Sequence, residues 1–360
     1  MAYNVTKIKL PKYEEYCEKI KKIWLNNHVT NFGPLEKELE NCLCNYLNVE
    51  NIVIVNNGTT ALLLAIKYFD LNVGDEILTS PFSFPATTHA ISFIGMTPKF
   101  VDIVSNEIPL MDPLETELNI SEKTKLIIPT HIYGIPCDLE RFETISKKHN
   151  IPIIYDASHC MGCKDDKINI FDYGSLSTLS FHATKIFSTI EGGAIICSTK
   201  KQKNILEQIK NFGFNNNRSL ICDGINGKLN EFQAAYGILK LKDIEDEIEA
   251  KKKIHKFYDQ NILWNENIKK IKTEYLKHHN YIYYPILVND AKKVSSELEN
   301  SDINVRRYFF PLAKDNYKNP SPFPNKSKFV SEHVICLPMG YDLTHNDLIF
   351  ITEKVNNLTG

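Results

Sequence analysis

Apolar, β-branched runs punctuate the first two hundred residues: IVIV at 52–55, EIL at 76–78, PKFVDI at 98–103, KLIIP at 125–129, IPIIY at 151–155, STLSF at 177–181 and GAIIC at 193–197. Segments with helical spacing separate them, among them TALLLAIKYF at 60–69 and DLERFETISKKH at 138–149. Unbroken apolar strands, as opposed to alternating ones, are buried on both faces, which predicts a mostly parallel α/β sheet. Residues 228–260 predict one long helix, apolar early and highly charged later. After it the pattern changes. Strand-like YIYYPILV (281–288), a helix near 290–300, VRRYFF (305–310), VICLP (334–338) and a terminal helix predict a smaller α+β domain. The expected division is 1–245 for the large domain, N-terminal helices included, and 246–360 for the bridging helix and small domain, with the boundary inside 245–275. There is no internal repeat, which removes solenoids and propellers.

Composition narrows the function classes. The chain of 360 residues is 43% hydrophobic and 24% charged with a net charge of -2, an ordinary globular balance. No dense Lys/Arg block stands alone, so neither nucleic acid nor an anionic membrane surface is an expected partner. Lys251-Lys252-Lys253, with Glu245, Glu247 and Glu249 nearby, reads as a solvated helix face. The N-terminus has no signal-peptide core and no window approaches about 18 uncharged apolar residues, so the expected location is the cytoplasm. Nine cysteines are scattered through apolar segments and read as small buried hydrophobes. Cys160-Met-Gly-Cys163 has redox or half-zinc spacing, but no second Cys/His pair matches it and Cys42-Asn-Cys44 has the wrong gap, so no metal is expected.

In an open α/β sheet, ligands bind at the carboxyl ends of the strands. Four groups of polar or aromatic residues follow the apolar runs. Asn56-Asn57-Gly58-Thr59-Thr60 opens a helix with free N–H groups and hydroxyls, a setting that suits a phosphate. It is neither a dinucleotide fingerprint nor a P-loop, and many such N-caps bind nothing. Pro81-Phe82-Ser83-Phe84-Pro85-Ala86-Thr87 offers an aromatic that could stack on a flat heterocycle or simply fill the core. Asp156 ends IPIIYD, with His159 close behind; it could bind metal, cap a helix or pair with a buried cation. Pyridoxal 5'-phosphate (PLP) needs such a carboxylate on its pyridine nitrogen, because the protonated ring is the electron sink. Lys185, in Ser180-Phe181-His182-Ala183-Thr184-Lys185, lies just past an apolar strand, 29 residues after Asp156. Burial and nearby positive charge would lower its pKa and leave a nucleophilic amine, while Ser180 offers a hydroxyl to a phosphate. A lysine is usually plain surface charge; the context is what distinguishes this one.

Taken in order, phosphate turn, aromatic, strand-end Asp and Lys resemble the parts of a fold-type I PLP enzyme. NNGTTALLLAI, VGDEILTSPFSFPATTHAI, MTPKFVDI, IIPTHIYGIPCDLE, IIYDASHCMG, LSFHATKIFSTIEGGAI and INGKLNEFQAAYGILKL closely resemble successive blocks of the DegT/StrS-type sugar aminotransferases, over nearly the whole chain. The resemblance implies that Lys185 is the Schiff-base lysine and general acid/base, and that Asp156 pairs with the pyridine nitrogen. Phe84 would stack on the ring with His159 beside it. Gly58, Thr59, Thr60 and Ser180 would hold the phosphate, and Asn226 would reach it from the neighbouring subunit of a homodimer. TNFGPLEKELE with Asn31, NFGF, INGKLNEFQAA and RRYFFPL look like the members that aminate C4 of dTDP-4-keto-6-deoxy-D-glucose, more than like the 3-aminotransferases. Asn31, Arg306, Arg307 and Tyr308 would then face the nucleotide sugar, although an exposed Arg-Arg pair fits the sequence nearly as well.

The implied partners are L-glutamate and a nucleotide-linked keto sugar, with PLP passing through its PMP form, and the implied product feeds surface polysaccharide such as O-antigen. Other nucleotides or sugar configurations are the nearest alternatives: GDP-perosamine type, UDP-linked, 3-keto or galacto products. A non-catalytic regulatory member would lack part of the Asp156–Ser180–Lys185 set, and all three are present. Lysine at 185 also separates the chain from the sugar dehydratases of the family, which carry histidine there. A nucleotide-binding oxidoreductase would need a Gly-rich fingerprint that is missing.

Overall fold

The computed structural model describes residues 2–215, 217–272, 278–313 and 324–360. Each apolar run becomes a strand: β1 (Ile52–Val55), β2 (Glu76–Thr79), β3 (Thr97–Phe100), β4 (Thr124–Ile128), β5 (Ile154–Asp156), β6 (Leu176–Ser180) and β7 (Gly193–Cys197). β2 pairs in parallel with β3 and β4, and β5 with β6. Parallel bridges Ile127–Ile153 and Thr130–Asp156 join the two groups into one sheet of order β1-β7-β6-β5-β4-β2-β3. Only β7 runs against its neighbours, β1 and β6.

Burial on both faces explains the unbroken apolar runs. Ile52 and Ile54 of β1 enter one core with Ala194 and Ile196 of β7, while Val53, Val55, Ile195 and Cys197 enter another on the opposite face. The first core receives α2 (Pro34–Leu47), α6 (Leu139–His149) and α8 (Glu231–Lys242); the second receives α3 (Gly58–Lys67), α4 (Pro85–Phe93) and α7 (Lys200–Lys210). In α2 the contributors are Leu35, Leu39, Leu43 and Leu47, one per turn, each stabilising by roughly 2 kcal/mol when buried. α1 (Tyr13–Asn26) packs against α8 and adds Ile23 to the first core, and α5 (Pro113–Leu118) packs against α6.

The long helix expected over 228–260 is two. Asn230 caps α8 by accepting from the Gln233 N–H, and at Asp243 the chain turns into α9 (Ile244–Asn261). The break lets α8 stay in the first core while Ile254 and Tyr258 of α9 enter a third. A buried Lys240–Glu247 ion pair of 3.1 Å spans it. The third core is built on an antiparallel sheet of β8 (Ile268–Lys270), β9 (Tyr284–Val288) and β10 (Val334–Leu337), with α10 (Ala291–Glu299) and α12 (His345–Thr359). α11 (Asn325–His333) precedes β10. VRRYFF joins the sheet by a single bridge, Arg306–Cys336. The first residues also touch the smaller part: Tyr3 bridges Ile303, and its hydroxyl donates to Asp347 at 2.9 Å, while Val5 enters the first core. Of the expected boundary window, 273–275 lies outside the described residues.

Candidate active site

Strand direction collects the chemistry on one edge. β5 ends at Asp156 and β6 at Ser180, and the register Val55–Gly193–Ser180 sets the Asn57–Gly58 turn directly beside Ser180. A Cβ on Gly58 would lie 2.9 Å from Ser180 Cβ, and one on Gly193 would lie 2.7 Å from the Asn57 backbone, so both positions require glycine. Asn57 caps α3 by accepting from the Thr60 N–H at 2.8 Å. The N–H groups of Gly58 and Thr59 have no partner inside the helix, and the helix dipole favours an anion there. Gly58, Thr59, Thr60 and Ser180 are thus brought together.

Asp156 is 4% exposed and well held. One carboxylate oxygen accepts from the Thr87 hydroxyl at 2.6 Å; the other accepts from the Ser158 hydroxyl at 2.6 Å and its N–H at 3.1 Å. No ion pair reaches it among the described residues, although a buried carboxylate calls for a cation. Lys185 follows β6 in a turn pinned by Phe181 N–H to Gly192 O, Thr189 N–H to Phe181 O and its own N–H to His182 O. Burial pushes its amine down to about 8, against the upward pull of Asp156 and Cys160. His159 is buried, and desolvation first and the Lys185 charge second hold its imidazole well below the usual range. Its Nδ1 accepts from the Tyr133 N–H at 3.1 Å, which leaves the proton on Nε2. Phe84 is exposed at the start of α4, 6.5 Å from the Phe309 ring, and Phe309 lies parallel to His159 at 6.1 Å.

The remaining expected residues stand farther out. Asn226 is exposed, and its carbonyl accepts from Asn56 Nδ2 at 3.4 Å, which sets it beside the phosphate turn of its own chain. Asn31 is exposed between α1 and α2. The Arg306 side chain is exposed, whereas Arg307 donates to the carbonyls of Ser331 (3.3 Å) and Glu332 (2.9 Å) at the end of α11 and lies over the Phe310 ring. The Tyr308 carbonyl accepts from the Tyr133 hydroxyl, and its ring meets Tyr283 at 5.2 Å. Residue reasoning missed Thr87, Ser158, Tyr133, Tyr283 and Phe309. Thr87 and Ser158 stand in segments already singled out, and a hydroxyl near a buried carboxylate was the available signal. Tyr283 and Phe309 carry no local signal, because their place beside His159 depends on how the C-terminal part packs. Among the described residues no cluster of three His, Cys, Asp or Glu could hold a metal, and no helix is long and apolar enough to cross a membrane.

These residues fit PLP: a glycine-lined turn at a helix N-terminus for its phosphate, an unpaired buried carboxylate for its ring nitrogen, and a lysine amine of depressed pKa for its aldehyde. The seven-stranded sheet and this edge define a fold-type I PLP enzyme. The chain belongs to the DegT/DnrJ/EryC1/StrS aminotransferase family, whose profile matches residues 12–356. It is 37% identical to a dTDP-4-amino-4,6-dideoxy-D-glucose transaminase of Shigella dysenteriae, over 98% of both chains. A protein of the same name from Escherichia coli is 34% identical, over 97% of this chain and 96% of its own. The fold matches that of DesI, crystallised in the presence of its TDP-sugar product, with a TM-score of 0.93, 23% identity and coverage of 99% of this chain and 93% of that one.

Proposed function

We propose that this aminotransferase moves the amino group of L-glutamate to C4 of dTDP-4-keto-6-deoxy-D-glucose, giving dTDP-4-amino-4,6-dideoxy-D-glucose for surface glycan synthesis and 2-oxoglutarate. The observation that carries the reading is the 37% identity to the Shigella dysenteriae transaminase across both full chains, joined to a complete Asp156–Ser180–Lys185 set. PLP, when bound, supplies a ring that accepts electrons from the carbon whose C–H bond breaks. Asp156, fixed by Thr87 and Ser158, holds positive charge on the ring nitrogen. Gly58, Thr59, Thr60 and Ser180 hold the phosphate; Asn226, whose main-chain carbonyl is bonded to Asn56 of its own turn, would offer its side chain to the phosphate of a second copy. Phe84 and His159 flank the ring. Lys185 moves the proton: with a pKa near 8 it exists in useful amounts both as amine and as ammonium near neutral pH. Exposed Asn31 and Arg306, with Tyr308, would face the nucleotide sugar; Arg307, engaged by the Ser331 and Glu332 carbonyls, would reach it only by releasing them. Exposed Phe212, Phe214, Leu220, Ile221 and Ile225 form an apolar stretch beside Asn226, which supports a homodimer with shared sites; the proposed setting is the cytoplasm.

The test is direct. Purified protein with PLP should show a visible absorption band that glutamate bleaches, and Lys185→Ala should lack the band. With glutamate, the dTDP-4-keto sugar should be aminated in preference to GDP- and UDP-linked 4-keto sugars, as read by mass and NMR. Preference for another nucleotide overturns the substrate; no band in wild type overturns the chemistry.

A further inference from the structure

Two consecutive buried polar residues of the C-terminal part, His279 and Asn280, reach across to the strand ends of the large sheet. Asn280 is fully buried. Its amide donates to the carbonyls of His159 at 2.6 Å and Met161 at 2.9 Å, and its oxygen accepts from the Ile282 N–H at 3.2 Å. His279 is 3% exposed. Its Nδ1 accepts from the Tyr281 N–H at 2.9 Å, so its proton is on Nε2, which donates to the Tyr133 carbonyl at 3.0 Å. Burial pushes this imidazole down to about 4, so it is neutral near pH 7 and the assignment of donor and acceptor holds.

Tyr133 is the link. Its backbone sits at φ 59, ψ 13, a left-handed conformation that costs a residue with a side chain about 1–2 kcal/mol. Three contacts hold it there: the N–H to His159 Nδ1, the carbonyl from His279 Nε2 and the hydroxyl to the Tyr308 carbonyl. In this conformation the N–H meets Nδ1 and keeps the His159 proton on Nε2. The connection therefore runs His279 to Tyr133 to His159, with Asn280 fixing the His159 main chain from the other side.

Resting on the PLP reading above, we propose that His279 and Asn280 are positioning residues for the cofactor site, His279 setting the tautomer and orientation of the His159 ring through Tyr133 and Asn280 fixing the His159 main chain directly. The side chain at 279 can be dissected. Gln places an N–H donor where Nε2 stands and keeps the bond to Tyr133. Asn places an acceptor where Nδ1 stands and keeps only the bond to Tyr281. Phe keeps the ring shape and neither bond.

The experiment measures, on apoprotein, hydrogen exchange of the Tyr133 amide and of the His159 ring Cε1 hydrogen by mass spectrometry, in wild type and in His279→Gln, His279→Asn and His279→Phe. The same proteins with PLP are titrated with pH while the visible band is followed. We expect exchange at Tyr133 and His159 to rise roughly tenfold in His279→Phe and His279→Asn and to stay within about threefold of wild type in His279→Gln. The midpoint of the band should move by about half a pH unit or more in the first two only. Wild-type behaviour of both His279→Asn and His279→Phe overturns the proposal, as does equal rescue by Asn and Gln. An exchange increase spread evenly over residues 278–288 also overturns it, because that marks general loosening. The expected exchange pattern with no visible band in wild type would sustain the clamp and sink the cofactor reading instead.

Discussion

Burial and Asp156 act on the Lys185 amine in opposite directions, and burial wins. A lysine whose pKa is about 8 when folded and about 10.4 when unfolded takes up fewer protons in the native state between those values. Apoprotein stability therefore rises with pH across that window, and the full penalty is present below pH 8. Lys185→Met removes it. We expect the apo variant to be more stable than wild type by about 1–2 kcal/mol at pH 7 and by much less at pH 10, as read by urea unfolding. Equal stability at pH 7 would show that the amine is hydrated in the native state. Asp156 and Lys185 were legible as residues because each follows an apolar run that ends at the ligand-binding edge. Thr87 and Ser158 were not, since a hydroxyl in a motif does not reveal which carboxylate it meets.

At the scale of elements, the N-terminus of α2 is held by another helix. Glu231, the first residue of α8, is 2% exposed and accepts from the Leu35 and Glu36 N–H groups at 2.8 Å each. The carboxylate fills the space a side chain at Gly33 would occupy: a Cβ there would lie 2.3 Å from Glu231 Cδ. An anion at a helix N-terminus also meets the favourable end of the dipole. Glu231→Gln turns one acceptor into a donor that faces an N–H, so we expect a loss of about 2–3 kcal/mol in denaturant unfolding with little change in the visible band. Gly33→Ala should destabilise through the same carboxylate. Helix periodicity announced α2 and α8 but not this joint. The break at Asp243 was hidden for a related reason: each half keeps helical spacing, and only the third core, which takes Ile254 and Tyr258 from the far half of α9, requires the turn.

For the whole molecule, the stretch from Phe212 to Ile225 exposes five large apolar residues, Leu220 at 68%. A second copy packing there would cover them and bring Asn226 to the neighbouring phosphate turn. Sedimentation should show a species of about twice the chain mass, and Phe214→Glu with Leu220→Glu should yield monomer that retains PLP poorly. A wild-type monomer, or a dimer unaffected by the pair, would refute this interface. The sequence by itself determined the sheet strands, the edge where chemistry gathers and the candidate cofactor residues placed there, because burial on two faces and strand-end polarity are written locally. Tertiary structure alone decided that His279 and Asn280 grip Tyr133 and His159, that Phe309 lies beside His159, and that Arg307 is engaged by the end of α11. Those contacts join segments more than a hundred residues apart or depend on which faces meet. A single chain's local pattern states what must be buried, and packing decides against what.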